Sequence, residues 1–329
     1  MNPLPWRLRI ADFVVRLGGP GVTDLDSAGI ARRRSAAAHP VQSALWRLMS
    51  GPVVPRVRIE PLQIPGRHGT IAARVYRPAA ADGRAPVATV IFFHGGGWVF
   101  GAPSEYDPFC SWLADAAEVL IVSIDYRLAP EHVAPAGLQD ALDATRWIGE
   151  HVARLGGDPE RLGVMGDSAG GNLAAVVTQQ VRDEGGPTLR HQVLIYPSVD
   201  STCLRRSKIE HARGPLITRR DTDTFFRLYR GSGADALDPA DPRISPLQGD
   251  LRGLPPALIQ TAALDPLRDE GRAYADKLRR SGVQVLATDY PNAAHGFASM
   301  PALAPSTWAH RSEIRDEIRR HLAGGQVIS

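Results

Sequence analysis

Ser168 stands in the run Gly166-Asp167-Ser168-Ala169-Gly170-Gly171, straight after the apolar residues Leu162 to Met165. A serine at the apex between a strand and a helix, with Gly166 and Gly170 relieving the crowding, has the shape of a nucleophile elbow. A serine hydroxyl is a weak nucleophile at neutral pH. It needs a base within hydrogen-bond reach, a partner that orients the base, and N–H donors aimed at the oxyanion formed when a carbonyl is attacked. The chain offers a candidate for each need. Asp265 follows the apolar run 257–263, and His295 lies in Asn292-Ala293-Ala294-His295-Gly296-Phe297. Val90 to Phe93 runs into His94-Gly95-Gly96-Gly97-Trp98. Consecutive glycines after a buried strand let backbone N–H groups approach a ligand closely, and Gly95 and Gly96 are the expected donors. Ala169 is expected to supply a third, because its N–H opens the helix after Ser168. The chemistry would be acyl transfer through a covalent serine intermediate.

Each candidate has a plainer reading. A glycine run can be a flexible turn or a phosphate loop, but no Lys-Ser/Thr follows it here. Asp265 before Pro266 could be only a helix cap, and Asp269 and Glu270 compete with it from a turn further into that helix. His94 precedes the glycines and is expected to support their loop, as Asp167 is expected to support the elbow. The stretch Asp125-Tyr126-Arg127-Leu128-Ala129-Pro130-Glu131-His132 reads as a polar network bracing the loops under the site. His39, His151, His211, His310 and His321 lie in polar or helical contexts and read as surface residues. No Cys/His cluster has metal-ligand spacing, so neither a metal nor an organic cofactor is expected.

Positioning these groups needs a sheet. Strand-like runs recur at 56–64, 70–76, 87–93, 119–124, 162–165, 192–195 and 257–262, with a further one at 284–288. Most are short and uninterrupted, as in strands buried on both faces of a parallel sheet. Helical periodicity fills 135–155, 171–184, 267–280 and 308–322. This alternation predicts an α/β doubly wound sheet with candidate residues at strand ends. Residues 200–245 break the pattern and read as an insertion. Trp98, Phe100, Phe225, Phe226 and Tyr229 could line an apolar pocket or pack inside a cap.

The chain of 329 residues is 43% hydrophobic and 22% charged, with a net charge of +3. This is the composition of an ordinary globular protein, with no electrostatic case for nucleic acid or an anionic membrane. No stretch approaches the ~18 apolar residues of a membrane span. Cys110 and Cys203 are no disulfide framework and fit a reducing, cytoplasmic setting. Near the N-terminus, Trp6, Ile10, Phe13, Val14 and Leu17 fall on one helical face, expected to pack on the protein itself.

Taken in order, HGGGW, DYRLAPEH, GDSAGGNLA, DPLRDEG and AHGF resemble the bacterial hormone-sensitive-lipase-like esterases, family IV, in the branch with Asp before the nucleophile. The resemblance spans about residues 70–300. It implies an α/β-hydrolase fold: a mostly parallel sheet flanked by helices, with a helical cap. The cap would comprise 1–50 and 200–245, and the catalytic core 51–199 and 246–329. The resemblance implies Ser168, Asp265 and His295 as the triad, and Gly95, Gly96 and Ala169 as the oxyanion hole. It implies a serine carboxylesterase for short- to medium-chain acyl esters, acting on a small-molecule ester without a cofactor. An amidase or acyltransferase would share the triad. Plant gibberellin receptors resemble this family but bind ligand without turnover, having lost the histidine that stands here as His295. A monomer or a homodimer paired through an edge strand fits the sequence.

Overall fold

The computed structural model of the chain describes residues 6–17, 21–37, 49–81, 85–301 and 307–322. Eight strands form one sheet: β1 (Arg58–Gly66), β2 (Gly69–Arg77), β3 (Val87–Phe93), β4 (Leu120–Asp125), β5 (Gly157–Asp167), β6 (Leu189–Ile195), β7 (Ala257–Ala262) and β8 (Val285–Tyr290). Their order is β1-β2-β4-β3-β5-β6-β7-β8. β1 and β2 are antiparallel to their neighbours, and all other pairs are parallel. The reason is chemical. β3, β4 and β7 carry apolar residues on both faces and are buried almost throughout, which suits strands covered by helices on both sides. β1 and β8 form the sheet's edges and are mostly half-buried or exposed.

The described helices are α1 (Trp6–Leu17), α2 (Ser27–Ala37), α3 (Asp107–Ala117), α4 (Ala136–His151), α5 (Ala169–Glu184), α6 (Arg206–Glu210), α7 (Arg219–Arg230), α8 (Arg268–Arg280) and α9 (Thr307–His321). Apolar faces of α4, α5 and α8 bury Leu138, Leu142, Leu173, Val177 and Tyr274 against one side of the sheet. α3 and α9 cover the other side with Phe109, Leu113, Ile314 and Ile318. Each such side chain contributes about 1.5–3 kcal/mol when fully buried. Sequence reading misses α3, although Phe109, Leu113, Ala114 and Ala117 fall at helical spacing behind Pro108.

Between β6 and β7 the chain leaves the sheet and forms α6 and α7. Thr218 and Asp221 close a capping box that starts α7. The N-terminal segment meets this insertion. Asp12 accepts a hydrogen bond from the Leu216 N–H (3.0 Å), and Ile30, Leu25, Phe225 and Leu228 share one apolar cluster with Val99 and Phe100. The expected packing face of α1 is corrected: Trp6, Ile10 and Phe13 are exposed, and Leu8 is the buried residue. The side chains of Val14 and Leu17, and all of His39, lie outside the described residues.

Candidate active site

β5 ends at Asp167 and α5 begins at Ala169, so the reversal falls on Ser168 alone. Its φ of 55° and ψ of −117° are sterically costly for a residue with a Cβ. The backbone is held there because the Ser168 N–H donates to the Ile195 carbonyl (2.9 Å), and its own carbonyl accepts from Asn172 (3.1 Å). At Gly170 an added Cβ would sit 1.9 Å from the Phe93 carbonyl oxygen, so only glycine lets the helix start this close to β3.

Three side chains meet at this elbow. His295 Nε2 lies 2.8 Å from Ser168 Oγ, and His295 Nδ1 lies 2.7 Å from Asp265 Oδ2. Asp265 is fully buried just after β7, and its Oδ1 accepts the Leu267 N–H at 2.8 Å. Both carboxylate oxygens are therefore committed, and the carboxylate cannot turn away from the imidazole. Burial disfavours the His295 imidazolium, but the charge and hydrogen bond of Asp265, with the charge of Asp167, outweigh it and raise its pKa. The rival acids are engaged elsewhere. Asp269 accepts the Ser207 N–H and pairs with Arg268, while buried Glu270 accepts the Val199 N–H and pairs with Lys208.

The expected oxyanion donors need one correction. The Gly95 N–H donates to Asp167 Oδ1 (2.8 Å) and lies 3.1 Å from the Tyr106 hydroxyl. It is consumed inside the protein. Gly96 and Gly97 line the cavity above Ser168, and among the described residues no protein acceptor takes their N–H groups or that of Ala169. Gly96 has φ +113°, and an added Cβ would lie 2.2 Å from the Phe100 carbonyl oxygen. The loop is braced from below. His94 Nδ1 lies 2.8 Å from the Gly95 carbonyl oxygen, and its ring stacks on Tyr126. Burial lowers the His94 pKa to about 4, so it stays neutral. The Tyr126 hydroxyl donates to the His94 carbonyl, Arg127 grips Asp140, and Arg34 of α2 donates to the Val99 carbonyl.

Ser168 opens into a cavity of about 270 Å³ walled by Trp98, Ile217, Phe225, Leu267 and Met300. A second, outer cavity of about 570 Å³ shares His295 and Phe225 and reaches Phe100, Asp24, Arg33 and Thr218. Two pocket expectations are corrected. Tyr229 is buried with its ring stacked on Trp98 at 4.4 Å, and Phe226 packs against the core cluster that contains both. Of the α7 aromatic residues only Phe225 lines the cavities, beside the polar Arg220, Asp221 and Thr222, whereas Phe226 and Tyr229 pack into the core. Ile217 and Met300 lie in no motif and are found only by folding, and Leu267 lies in DPLRDEG with nothing there to mark it as a pocket wall. His310 is also corrected: it is fully buried, with Nδ1 2.7 Å from the Gln260 side-chain oxygen, and it packs against Phe297.

Residues 90–299 match the family described as the alpha/beta hydrolase fold. Carboxylic ester hydrolase LipN of Mycobacterium tuberculosis is 44% identical over 293 residues, covering 87% of this chain and 76% of LipN. The chain belongs to the α/β-hydrolase fold family, on its hormone-sensitive-lipase-like branch. The ethyl acetate hydrolase of Pseudomonas putida is 37% identical, covering 80% of this chain and 83% of that protein. The structure of a hyperthermophilic esterase from the archaeon Pyrobaculum calidifontis superposes with a TM-score of 0.86 at 36% identity, covering 97% of this chain and 98% of the other.

Within this α/β-hydrolase site Asp167 has two neighbours to serve. It receives the Gly95 N–H and the hydroxyls of Tyr106 (3.1 Å) and Tyr196 (3.3 Å), and its charge also raises the His295 pKa. Burial raises the Asp167 pKa to about 6, against the opposing pull of Tyr106, Gly95, His295 and Tyr196. With His295 as the candidate base, which must be neutral to act, activity is expected to be lost as pH falls through its pKa, and a raised pKa would move that limb upward. Asp167→Asn is expected to move the acid limb of kcat/KM to lower pH. It should also lower kcat roughly tenfold, because a charged hydrogen bond to the loop becomes a neutral one. A pH–rate profile of both proteins checks this. An unmoved limb would separate Asp167 from the imidazole.

Proposed function

We propose that the chain is a serine carboxylesterase hydrolysing esters of short to medium acyl groups, with Ser168 as nucleophile, His295 as base and Asp265 as its orienting acid. The observation that carries this reading is the unbroken line Asp265–His295–Ser168, 2.7 and 2.8 Å, opening beside two glycine amides that no described residue accepts. His295 Nε2 takes the Ser168 proton as Oγ attacks the ester carbonyl. Gly96, Gly97 and Ala169 hold the oxyanion, each donor being worth about 10²–10³ in rate. The imidazolium then gives its proton to the leaving alcohol oxygen. Water deprotonated by His295 attacks the acyl-enzyme, and Ser168 recovers its proton. These side chains and amides supply every group that acyl transfer requires. The names of the relatives, carboxylic ester hydrolase and ethyl acetate hydrolase, support an ester as substrate.

Chain length follows from volume. The inner cavity of about 270 Å³ lies at the small end of ligand sites, which run roughly 300–1,000 Å³. Its walls of Trp98, Phe225 and Leu267 suit a short apolar acyl group. Across p-nitrophenyl esters from acetate to palmitate, kcat/KM is expected to peak at short to medium chains and fall steeply beyond. A maximum at palmitate would contradict the assignment of this cavity. Both cysteines are unpaired, Cys110 buried and Cys203 exposed, which supports a cytoplasmic setting. Among the described residues no helix is long and apolar enough to cross a membrane.

A further inference from the structure

At the opposite end of the sheet from Ser168 lies a group of side chains that the esterase reading does not use. His191 is the third residue of β6 and is paired with Gly163 of β5. It sits four residues, about 13 Å, below Ile195, which carries the register of the elbow. The ring is 1% exposed, yet among the described residues neither of its nitrogens has a hydrogen-bond partner. An unpaired buried polar group is costly and calls for a physical account. From the last turns of α9, Glu317 and His321 project at i and i+4 toward the same point. His321 Nε2 lies 3.4 Å from Glu317 Oε2, and His191 Nε2 lies 3.8 Å from that same oxygen. The donor atoms of all three residues fall within 4.8 Å of one another.

We infer that His191, Glu317 and His321 form a binding site for a divalent transition-metal ion of the zinc class, clamping α9 onto β6. Two imidazoles and a carboxylate are a ligand set that zinc accepts, leaving one coordination position for water. A tetrahedral ion with bonds of about 2.0–2.1 Å holds its donor atoms roughly 3.3 Å apart. The observed 3.4 and 3.8 Å separations are close to that, so loading requires small movements. One movement is defined. The two imidazoles stack with centroids 4.5 Å apart and planes 10° apart, and an ion cannot lie in both planes at once. His191 is locked in the core, so His321, on the outer turn and partly exposed, must rotate about its side-chain bonds. Arg320 grips the other carboxylate oxygen, Oε1, at 2.5 Å. That contact leaves Oε2 facing the imidazoles and fixes the carboxylate's orientation. Gly163 makes the approach possible, since a Cβ there would come 2.8 Å from Leu322 Cδ1 and lift the end of α9. Sequence spacing conceals the set, because β6 and α9 are far apart in the chain. The site is independent of the ester chemistry.

The test is metal retention by the full chain. Protein stripped with EDTA is equilibrated with a small molar excess of Zn²⁺ in excess Mg²⁺, unbound metal is removed by gel filtration, and the bound zinc is counted. Wild type and His295→Ala should each retain one equivalent. His321→Ala should bind at least tenfold more weakly, with ester hydrolysis intact as proof of folding; His321→Gln replaces it if that variant does not fold. Melting of the wild type should rise by about 4 °C at a hundredfold excess over Kd, and melting of His321→Ala should not. No retained zinc, equal retention in all variants, or loss of the ion in His295→Ala rather than in His321→Ala would overturn the proposal.

Discussion

Ser168→Ala is expected to lower kcat for ester hydrolysis by roughly 10⁵–10⁶, leaving only what oxyanion binding and substrate positioning supply. Among the described residues Oγ is the nucleophilic atom on His295 Nε2, at 2.8 Å, that can form an acyl-enzyme. Water cannot simply replace it, because the elbow places the nucleophile, not a solvent molecule, beside the Gly96 and Gly97 amides. Alanine retains the Cβ and accepts the same backbone, since the positive φ of 55° is imposed by hydrogen bonds to Ile195, Asn172 and Ser198 that do not involve the hydroxyl. The variant should therefore fold and melt like the wild type. Circular dichroism and p-nitrophenyl acetate turnover decide the matter together. A folded variant retaining more than about a hundredth of the activity would remove Ser168 from the chemistry.

Asp265→Asn should cost about 10⁴ in kcat, and the geometry shows why so conservative a change is so damaging. Oδ1 of Asp265 accepts the Leu267 N–H, whereas Oδ2 faces His295 Nδ1. In asparagine the amide oxygen must stay on the Leu267 N–H, because an amide nitrogen there would set donor against donor. The NH₂ group then faces His295 Nδ1, which must become an acceptor. Its proton moves to Nε2, and Nε2 can no longer take the Ser168 proton. The charge and hydrogen bond that raise the His295 pKa against burial are lost as well, so the acid limb of the residual activity should move to lower pH. Measured kcat at saturating ester within tenfold of the wild type would show that Asp265 does not set the tautomer.

Much of this site is legible in the chain because its chemistry is local. Strands β3 and β7 begin and end where their apolar runs do, and Ser168, Asp265 and His295 each follow a strand or lie in the loop after one. β5 is different. It starts at Gly157, ahead of the apolar run, because Gly157 already pairs with Val87 of β3 before the register shifts and Leu162 pairs with Thr89. The choice among the three glycines is equally out of reach. Gly95 loses its N–H to Asp167, which stands at the end of the neighbouring strand. That loss depends on register between β3 and β5 and on nothing within HGGG. The pocket walls fail for a similar reason. Phe225 and Phe226 are adjacent on α7, and their opposite fates depend on how the helix sits over Gly97 and Trp98. Buried His310 shows the converse: its place on a largely polar helix hides that it turns inward to Gln260.

The most direct test of the central claim is to trap the covalent intermediate. The chain would be treated with an aryl phosphonate ester, digested, and mapped by mass spectrometry. The account predicts one adduct, on Ser168, formed in step with loss of esterase activity and formed far more slowly in Asp265→Asn. Full loss of activity with the adduct on another residue, or hydrolysis that persists with Ser168 fully modified, would contradict it.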